Sequence, residues 1–363
     1  MSPVFFLPSK VLRASGFRVL RAALACALSL FVVAPFAFAQ QQQRAGQGSQ
    51  NAPQDSDEDE VIKVSTTEVL LPVTVRDAAG RLVTTLERKD FQVWENGREQ
   101  PLSDLRLRRV PVDVLLMVDA SSSVASSLED FRRAVDEFAA RLAVEDRVSL
   151  LKFDDRVELL QDWTQSRVQL RRSLRRVVPG MFTRFNDALY LAGREQFKDA
   201  RRRHAVVVLS DGIDSGRGHA TLEMALGALL EAGAGVYVIS NTEIERARKR
   251  AELDTLQAEP LSMRRFNELR IGDLRESLRV LDASERNLAT LTAATGGRLF
   301  KPQSFAALDQ IYAEVAEELR HQYALYYMPT DKTRDGKFRR VQVKTNDPAL
   351  SIHARIGYFA PRS

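Results

Sequence analysis

The chain has 363 residues, enough for one large domain or two ordinary ones, and its 44% hydrophobic and 28% charged residues exclude a disordered or fibrous class. Its formal net charge of +5 belongs largely to the first 39 residues. Without their four basic residues, 49 basic face 48 acidic ones, the charge falls to +1, and a nucleic-acid partner loses its main support.

Those first residues have the layout of an export signal. Lys10, Arg13, Arg18 and Arg21 precede an apolar run from Ala22 to Phe36, and Ala37-Phe38-Ala39 supplies a small-x-small cleavage pattern. The run is short for a membrane-spanning helix, so cleavage is expected, with a retained membrane anchor as the alternative. Cys26, the only cysteine, lies in this run, and Ala23-Leu24-Ala25 is a poor lead-in for a lipid anchor. The mature chain is then free of disulfides, even in the secreted or periplasmic location that the signal predicts. Residues 40–60 are a polar tract ending in D-S-D-E-D-E, expected to be a disordered linker. The acidic run lacks the glycine and distal Glu of a calcium loop, so it reads as solvated.

Residues 61–109 read as a small β unit. Thr67 to Val75 alternates, Asp77 to Gly80 is a turn, Leu82 to Leu86 returns, and Phe91 to Glu95 leads into Asn96-Gly97, a hairpin signal. Trp94 is expected in the core.

From residue 110 to 321 strands alternate with helical stretches, the mark of a doubly wound, mostly parallel α/β sheet. Val114 to Val118 is a near-continuous apolar run, as in a strand buried on both faces. A helix over 128–143 follows, with Phe131, Val135, Phe138 and Leu142 on one face. Next come a strand over 147–153 and an edge strand over 157–161. The helix expected over 165–177 has Val168, Leu170, Leu174 and Val177 inward. Arg171, Arg172, Arg175 and Arg176 lie outward, a solvated face without aromatic interleaving. A loop with Thr183 leads to a helix from Asn186. His204 to Leu209 is a strand, 221–232 a helix and 235–239 a strand. The charged stretch 241–284 is expected as a helical insertion over the rim of the sheet. Helix 287–294, strand 297–300 and helix 305–320 resume the core pattern. Three strands close the chain within 322–363: Tyr323 to Met328, Phe338 to Thr345, and Ile352 to Phe359. These are expected to pair with the N-terminal unit into a flanking β-sandwich, because either half alone has few strands and open edges.

The chemistry gathers at the carboxyl ends of the predicted parallel strands. Asp119, Ser121 and Ser123 form D-x-S-x-S after the central strand, Thr183 lies in a later loop, and Asp211 follows another strand. Loops at these ends converge where the strand order reverses, so five oxygen-bearing side chains can face one point. Carboxylates and hydroxyls suit a hard divalent cation, Mg2+ or Mn2+, whose unsatisfied charge invites an incoming carboxylate. Each residue also has a bland alternative: a helix cap for Asp119, Ser121 or Thr183, and a turn for Asp211 before Gly212.

With D-A-S-S-S at 119–123, T-R-F-N-D-A-L at 183–189 and L-S-D-G at 209–212, the chain resembles the von Willebrand factor type A (VWA) domain, the fold of integrin I domains. The resemblance implies a metal-ion-dependent adhesion site in which Ser121, Ser123 and Thr183 ligate directly, and Asp119 and Asp211 directly or through water. It departs at Pro179 to Thr183, where the family often has glycines immediately before the threonine. L-P-V-T-V-R-D, D-F-Q-V-W-E-N-G, A-T-G-G-R-L-F, E-L-R-H-Q-Y-A-L-Y-Y and G-Y-F-A-P extend the similarity to an exported bacterial VWFA-related family found in acidobacteria. The stretch 241–284 lies outside both patterns.

Enzyme signatures are missing. The four histidines, His204, His219, His321 and His353, form no zinc spacing, and the chain has no G-x-S-x-G, P-loop or G-x-G-x-x-G. Asp154, Asp155 and Asp214 are the nearest candidates for a general base, and turns account for them. The expectation is an exported binding module, not an enzyme, whose cation captures an Asp or Glu of a protein partner. Neither nucleic acid nor a small-molecule substrate is expected. The alternative is a structural or assembly component of the cell envelope with a fold-stabilising metal; a metal-dependent hydrolase ranks below both.

Overall fold

The computed structural model describes residues 68–107, 110–121, 128–197 and 202–362. The export signal, the linker, the start of the N-terminal unit and Ser123 lie outside them. The described residues open with strands β1 (Val69–Arg76), β2 (Phe91–Glu95), β3 (Arg98–Gln100) and β4 (Leu102–Leu107). It then alternates through β5 (Val112–Asp119), α1 (Leu128–Arg141), β6 (Arg147–Phe153), β7 (Val157–Thr164), α2 (Arg167–Leu174), α3 (Phe185–Leu191), β8 (Arg203–Leu209), α4 (Leu222–Ala232) and β9 (Ala234–Ile239). Helices α5 (Thr242–Ala258), α6 (Leu261–Arg264) and α7 (Glu268–Thr295) follow, then β10 (Leu299–Phe300) and α8 (Leu308–Arg320). Strands β11 (Tyr323–Tyr327), β12 (Phe338–Thr345), β13 (Ser351–Ala354) and β14 (Gly357–Phe359) close it.

A six-stranded sheet runs β10-β9-β8-β5-β6-β7, parallel except for the edge strand β7. The chain leaves β5 for β6 on one side and returns to β8 on the other, so the strand order reverses at β5. All eight residues of β5 are buried. Val112, Val114, Leu116 and Val118 pack with α1, α2 and α8, while Leu115 and Met117 pack with α3, α4 and α7. This two-sided burial explains the unbroken apolar run, and each such side chain contributes roughly 2 kcal/mol. On one face Phe131 and Phe138 of α1 meet the Tyr312 ring of α8 edge-on, at 6.2 and 5.8 Å. The expected doubly wound α/β sheet is present.

The flanking strands form two antiparallel sheets, β13-β1-β11-β4 and β14-β12-β2-β3. Leu71, Val73, Phe91, Val93, Leu325, Tyr327 and Val341 fill the core that they share. β1 lies between β11 and β13, with Val69 opposite Tyr327, so strands from both ends of the chain build one sandwich. A polar seam ties this sandwich to the α/β layers. Glu318 of α8, 1% exposed, accepts from Arg76 at 2.5 Å and from Thr74 at 3.2 Å. Among the described residues no helix is long and apolar enough to cross a membrane.

Several expectations are corrected. The stretch Leu82–Leu86 makes only an isolated bridge, Leu82 to Arg76. The last expected strand breaks at Arg355-Ile356, and its halves, β13 and β14, join different sheets. Stretch 241–284 has no boundary at its end, because α7 runs unbroken from the charged region into the core helix. Val168 is 56% exposed, since α2 is short and its inner face is fixed by Leu170 and Leu174. Trp94 is half-buried on the outer sheet surface under Lys344, because strand alternation turns Phe91, Val93 and Glu95 inward.

Candidate metal centre

Asp119 ends β5, and Ser210-Asp211 follows the neighbouring strand β8, so both carboxylates stand at the reversal of strand order. Asp119 is fully buried. Its Oδ1 accepts from the Ser121 backbone N–H at 2.9 Å, and its Oδ2 accepts from the Ser210 hydroxyl at 2.6 Å. Burial pushes the Asp119 carboxyl up; bonds from Ser210 and Ser121 oppose this, and the nearby Asp154 charge adds to it.

Asp211 sits in a tight turn. Its Oδ1 accepts from the Ile213 N–H at 3.0 Å, and Ser210 Oγ accepts from the Gly212 N–H at 3.0 Å. Gly212 has φ +70°, and a Cβ there would lie 2.6 Å from the Leu288 side chain of α7. Only glycine meets both conditions. Burial, with the Asp119 charge second, pushes the Asp211 carboxyl up to about 7.

The Thr183 loop is held on both flanks. Gly180 donates its N–H to the Ala120 carbonyl at 2.7 Å, and a Cβ on Gly180 would lie 2.6 Å from Asp154 Cγ. The positions immediately before the threonine, where the family often has glycines, are Met181 and Phe182 here, and the close approach falls on Gly180 instead. Asp155 accepts from the N–H groups of Met181 and Phe182 at 3.3 and 3.1 Å. Thr183 donates its N–H to Ser215 Oγ and accepts from the Ser215 N–H, both at 2.9 Å. Asp214 accepts from the Asn186 N–H at 2.9 Å. Asp187 takes the N–H groups of His219 and Ala220 at 2.8 and 2.7 Å. Burial alone would raise the Asp187 carboxyl, but these N–H groups and Arg184 hold it below the usual range.

The fold thus brings Asp119, Ser121, Thr183 and Asp211 to one end of the sheet, each at most 9% exposed. Ser123 lies outside the described residues. Asp154, the neighbouring acid, is ion-paired with Lys152 at 2.7 Å. Among the described residues no Lys or Arg forms an ion pair with Asp119 or Asp211, and the Asp119 charge helps to raise the Asp211 carboxyl, which Lys249 only partly offsets. That imbalance, beside hydroxyl oxygens, fits a divalent cation. No cluster of three or more His, Cys, Asp or Glu side chains suited to a metal occurs among the described residues, so hydroxyls are needed to complete any such site here.

Sequence reasoning passed over Ser210, although it stands in the same L-S-D-G motif, because its role is to donate across strands. Asp155 and Asp214 shape the Thr183 loop, as their turn setting suggested. Asn241, buried at the end of β9 one strand beyond Asp211, has neither side-chain polar atom hydrogen bonded. No spacing signal marks it.

A family model fits the segment carrying these loops. Residues 114–213 match the von Willebrand factor type A domain. The match covers the strands and turns that carry Asp119, Ser121, Thr183 and Asp211, while β9 and β10 continue the same sheet beyond it and α8 packs on one of its faces. No curated protein matches the chain. Among solved structures, proximal thread matrix protein 1 from the mussel byssus, with a zinc-occupied MIDAS motif, is 16% identical over 62% of this chain and 50% of that one, at a TM-score of 0.44. The chain therefore spans half the length of that protein. Conserved hypothetical protein BatB from Bacteroides thetaiotaomicron is 17% identical over 58% of this chain and 99% of that one, at a TM-score of 0.40. The vWF domain of the type V pili tip protein Mfa5 from Porphyromonas gingivalis is 12% identical over 58% and 95%, at a TM-score of 0.36.

Proposed function

We propose that the VWA region is an exported, cation-dependent protein-binding module of the adhesion type. Asp119, Ser121, Ser123, Thr183 and Asp211 would hold one divalent cation, and an Asp or Glu of a protein partner would complete its coordination. The observation that carries this reading is the buried Asp119–Asp211 pair, without an ion-paired Lys or Arg, at the reversal of strand order. Five hydroxyl and carboxylate side chains, with no His or Cys, favour Mg2+ or Mn2+. The cation would supply a Lewis-acidic position open to an incoming carboxylate. The chain's own residues do the rest. Ser210 orients Asp119, Ile213 orients Asp211, and Ser215 fixes Thr183.

Specificity would come from the surrounding loops. A cavity of about 400 Å3 beside the Thr183 loop is lined by Arg156, Arg184, Tyr190, His219 and Met224, offering apolar and cationic contacts to residues flanking the partner's acid. Binding is favoured over catalysis because Asp154, Asp155 and Asp214, the candidate general bases, are engaged by Lys152 and backbone N–H groups. Residues 1–39 and the motifs of the exported bacterial family support a secreted or periplasmic location.

Calorimetric titration of Mg2+ and Mn2+ into the chain, beside Asp211→Ala, tests the proposal. Saturable binding at one site, lost in the variant, is expected, and no binding in the presence of an acidic partner peptide would overturn it. A chelator separates the alternative of a structural metal. The backbone bonds that stitch the loops through Asp155, Asp187 and Ser215 predict a protein that stays folded without its cation, whereas a structural metal predicts melting.

A further inference from the structure

At the other end of the sheet, by the amino ends of β8 and β9, a cavity of about 240 Å3 opens between the α/β layers and the sandwich. β1 contributes Leu70 and Pro72, β8 contributes Arg203 and His204, and the segment from β13 to β14 contributes Arg355 and Tyr358. Leu70 and Pro72 face it because strand alternation sends Val69, Leu71 and Val73 into the sandwich core.

Arg203 and Arg355 bring positive charge that no direct ion pair among the described residues balances, Asp146 acting on Arg203 only at a distance. Arg203, 5% exposed, donates to the carbonyls of Val110 at 2.9 Å and Leu319 at 2.6 Å. The nearby acid Asp146 is engaged by the Val112 and Ala143 N–H groups at 2.9 and 2.8 Å. Arg355 donates to the Leu70 carbonyl at 2.9 Å, its Nε is buried without a partner, and its guanidinium stands 5.6 Å from the Tyr358 ring. Among the described residues neither arginine forms an ion pair with a carboxylate. The two acids on the cavity wall are held elsewhere, Glu231 by Arg194 at 2.5 Å and Glu68 by Ser103 Oγ at 2.6 Å. Arg202, the third cation of the wall, is ion-paired with Asp113 at 2.5 Å, a carboxylate it shares with Arg147. Guanidinium groups held away from water without an ion pair, one buried and one half-buried here, are costly, and their forked N–H donors match the oxygens of an anion.

We propose that this cavity binds a small oxyanion, a carboxylate or phosphate group, between Arg355 and Arg203. Leu70, Pro72, Tyr358 and Phe359 give such a ligand an apolar wall, so a short organic body on the anionic head is accommodated. Because β1 and the β13–β14 segment belong to the sandwich and β8 to the α/β layers, the anion bridges the two. Occupancy stabilises the whole chain by linkage.

Inorganic phosphate and malonate are titrated into the chain at constant ionic strength against chloride, with melting temperature and calorimetric heat as readouts. A saturable rise in Tm with phosphate alone, malonate alone or both supports the site and names its preferred head group. Failure of both anions to act beyond chloride overturns it. Arg355→Met should weaken binding roughly tenfold or more. Leu70→Glu supplies a carboxylate from within, so it should raise the Tm without added anion and abolish the anion effect. This variant decides the matter if Arg355→Met does not fold. An anion effect that survives both substitutions overturns the assignment. Mg2+ titration of the same variants should be unchanged, since the candidate metal centre lies at the opposite end of the strands.

Discussion

Ser210 donates its hydroxyl hydrogen to Asp119 Oδ2 at 2.6 Å, joining the ends of β8 and β5 across the crevice at which the strand order reverses. The bond fixes the Asp119 carboxylate and couples the two loops that carry the acids. Ser210→Ala leaves a buried carboxylate short of a donor. The cost should be about 1–3 kcal/mol in urea unfolding without metal. An unchanged midpoint would show that Asp119 takes no support from β8.

Asp211 makes the cation-free chain sensitive to pH. Its carboxyl titrates at about 7 when folded, because of burial and the Asp119 charge, and near 4 when unfolded. Between those values the folded chain holds the extra proton. Stability therefore falls as pH rises from about 4 to 7, and is level above that. Asp211→Asn should abolish this loss and raise the metal-free Tm at pH 8, by up to about 4 kcal/mol of stability, with no gain at pH 4. Melting curves at the two pH values, with chelator present, give the comparison.

Gly212→Ala tests the turn that aims Asp211. The substitution strains a backbone at φ +70° and drives a methyl group into Leu288. A loss of about 2–4 kcal/mol is expected. Adding Leu288→Ala should relieve the collision but not the backbone strain, so the double variant should show a positive coupling with incomplete recovery. Full additivity would separate the turn from α7.

Glu318→Ala should act on the seam alone. The glutamate is 1% exposed and holds Arg76 and Thr74, so its loss should cost about 3 kcal/mol. It lies in the last turn of α8, which runs back along the sheet to the amino ends of the strands. Cation affinity measured by titration should stay at its original value, and a large change there would mean that the seam and the metal centre are coupled.

Much of this architecture is written locally in the chain. The run Val114–Val118 specifies a doubly buried strand, the span Arg147–Phe153 is read to the residue, and Asn96-Gly97 fixes a hairpin. D-x-S-x-S after a buried strand places Asp119 and Ser121 at the carboxyl end of the sheet. These features rest on side-chain alternation and turn chemistry within a few residues, which neighbours in sequence determine.

Tertiary structure decided what depends on partners far along the chain. Ser210 reaches Asp119 across 91 positions, and Val69 pairs with Tyr327. The break at Arg355-Ile356 sends β13 and β14 to different sheets because their partners, β1 and β12, already lie in different layers. The charged arm around α7 merges with the core helix because Leu288 and Leu291 find the sheet, whereas its earlier turns do not. Sequence by itself determined the strands, the turns and most candidate ligands, since those follow from local periodicity. Which carboxylates meet, which arginines lack an ion-paired acid and which strands share a sheet were decided by the fold, because burial and pairing are set by residues that the chain brings together only when it closes.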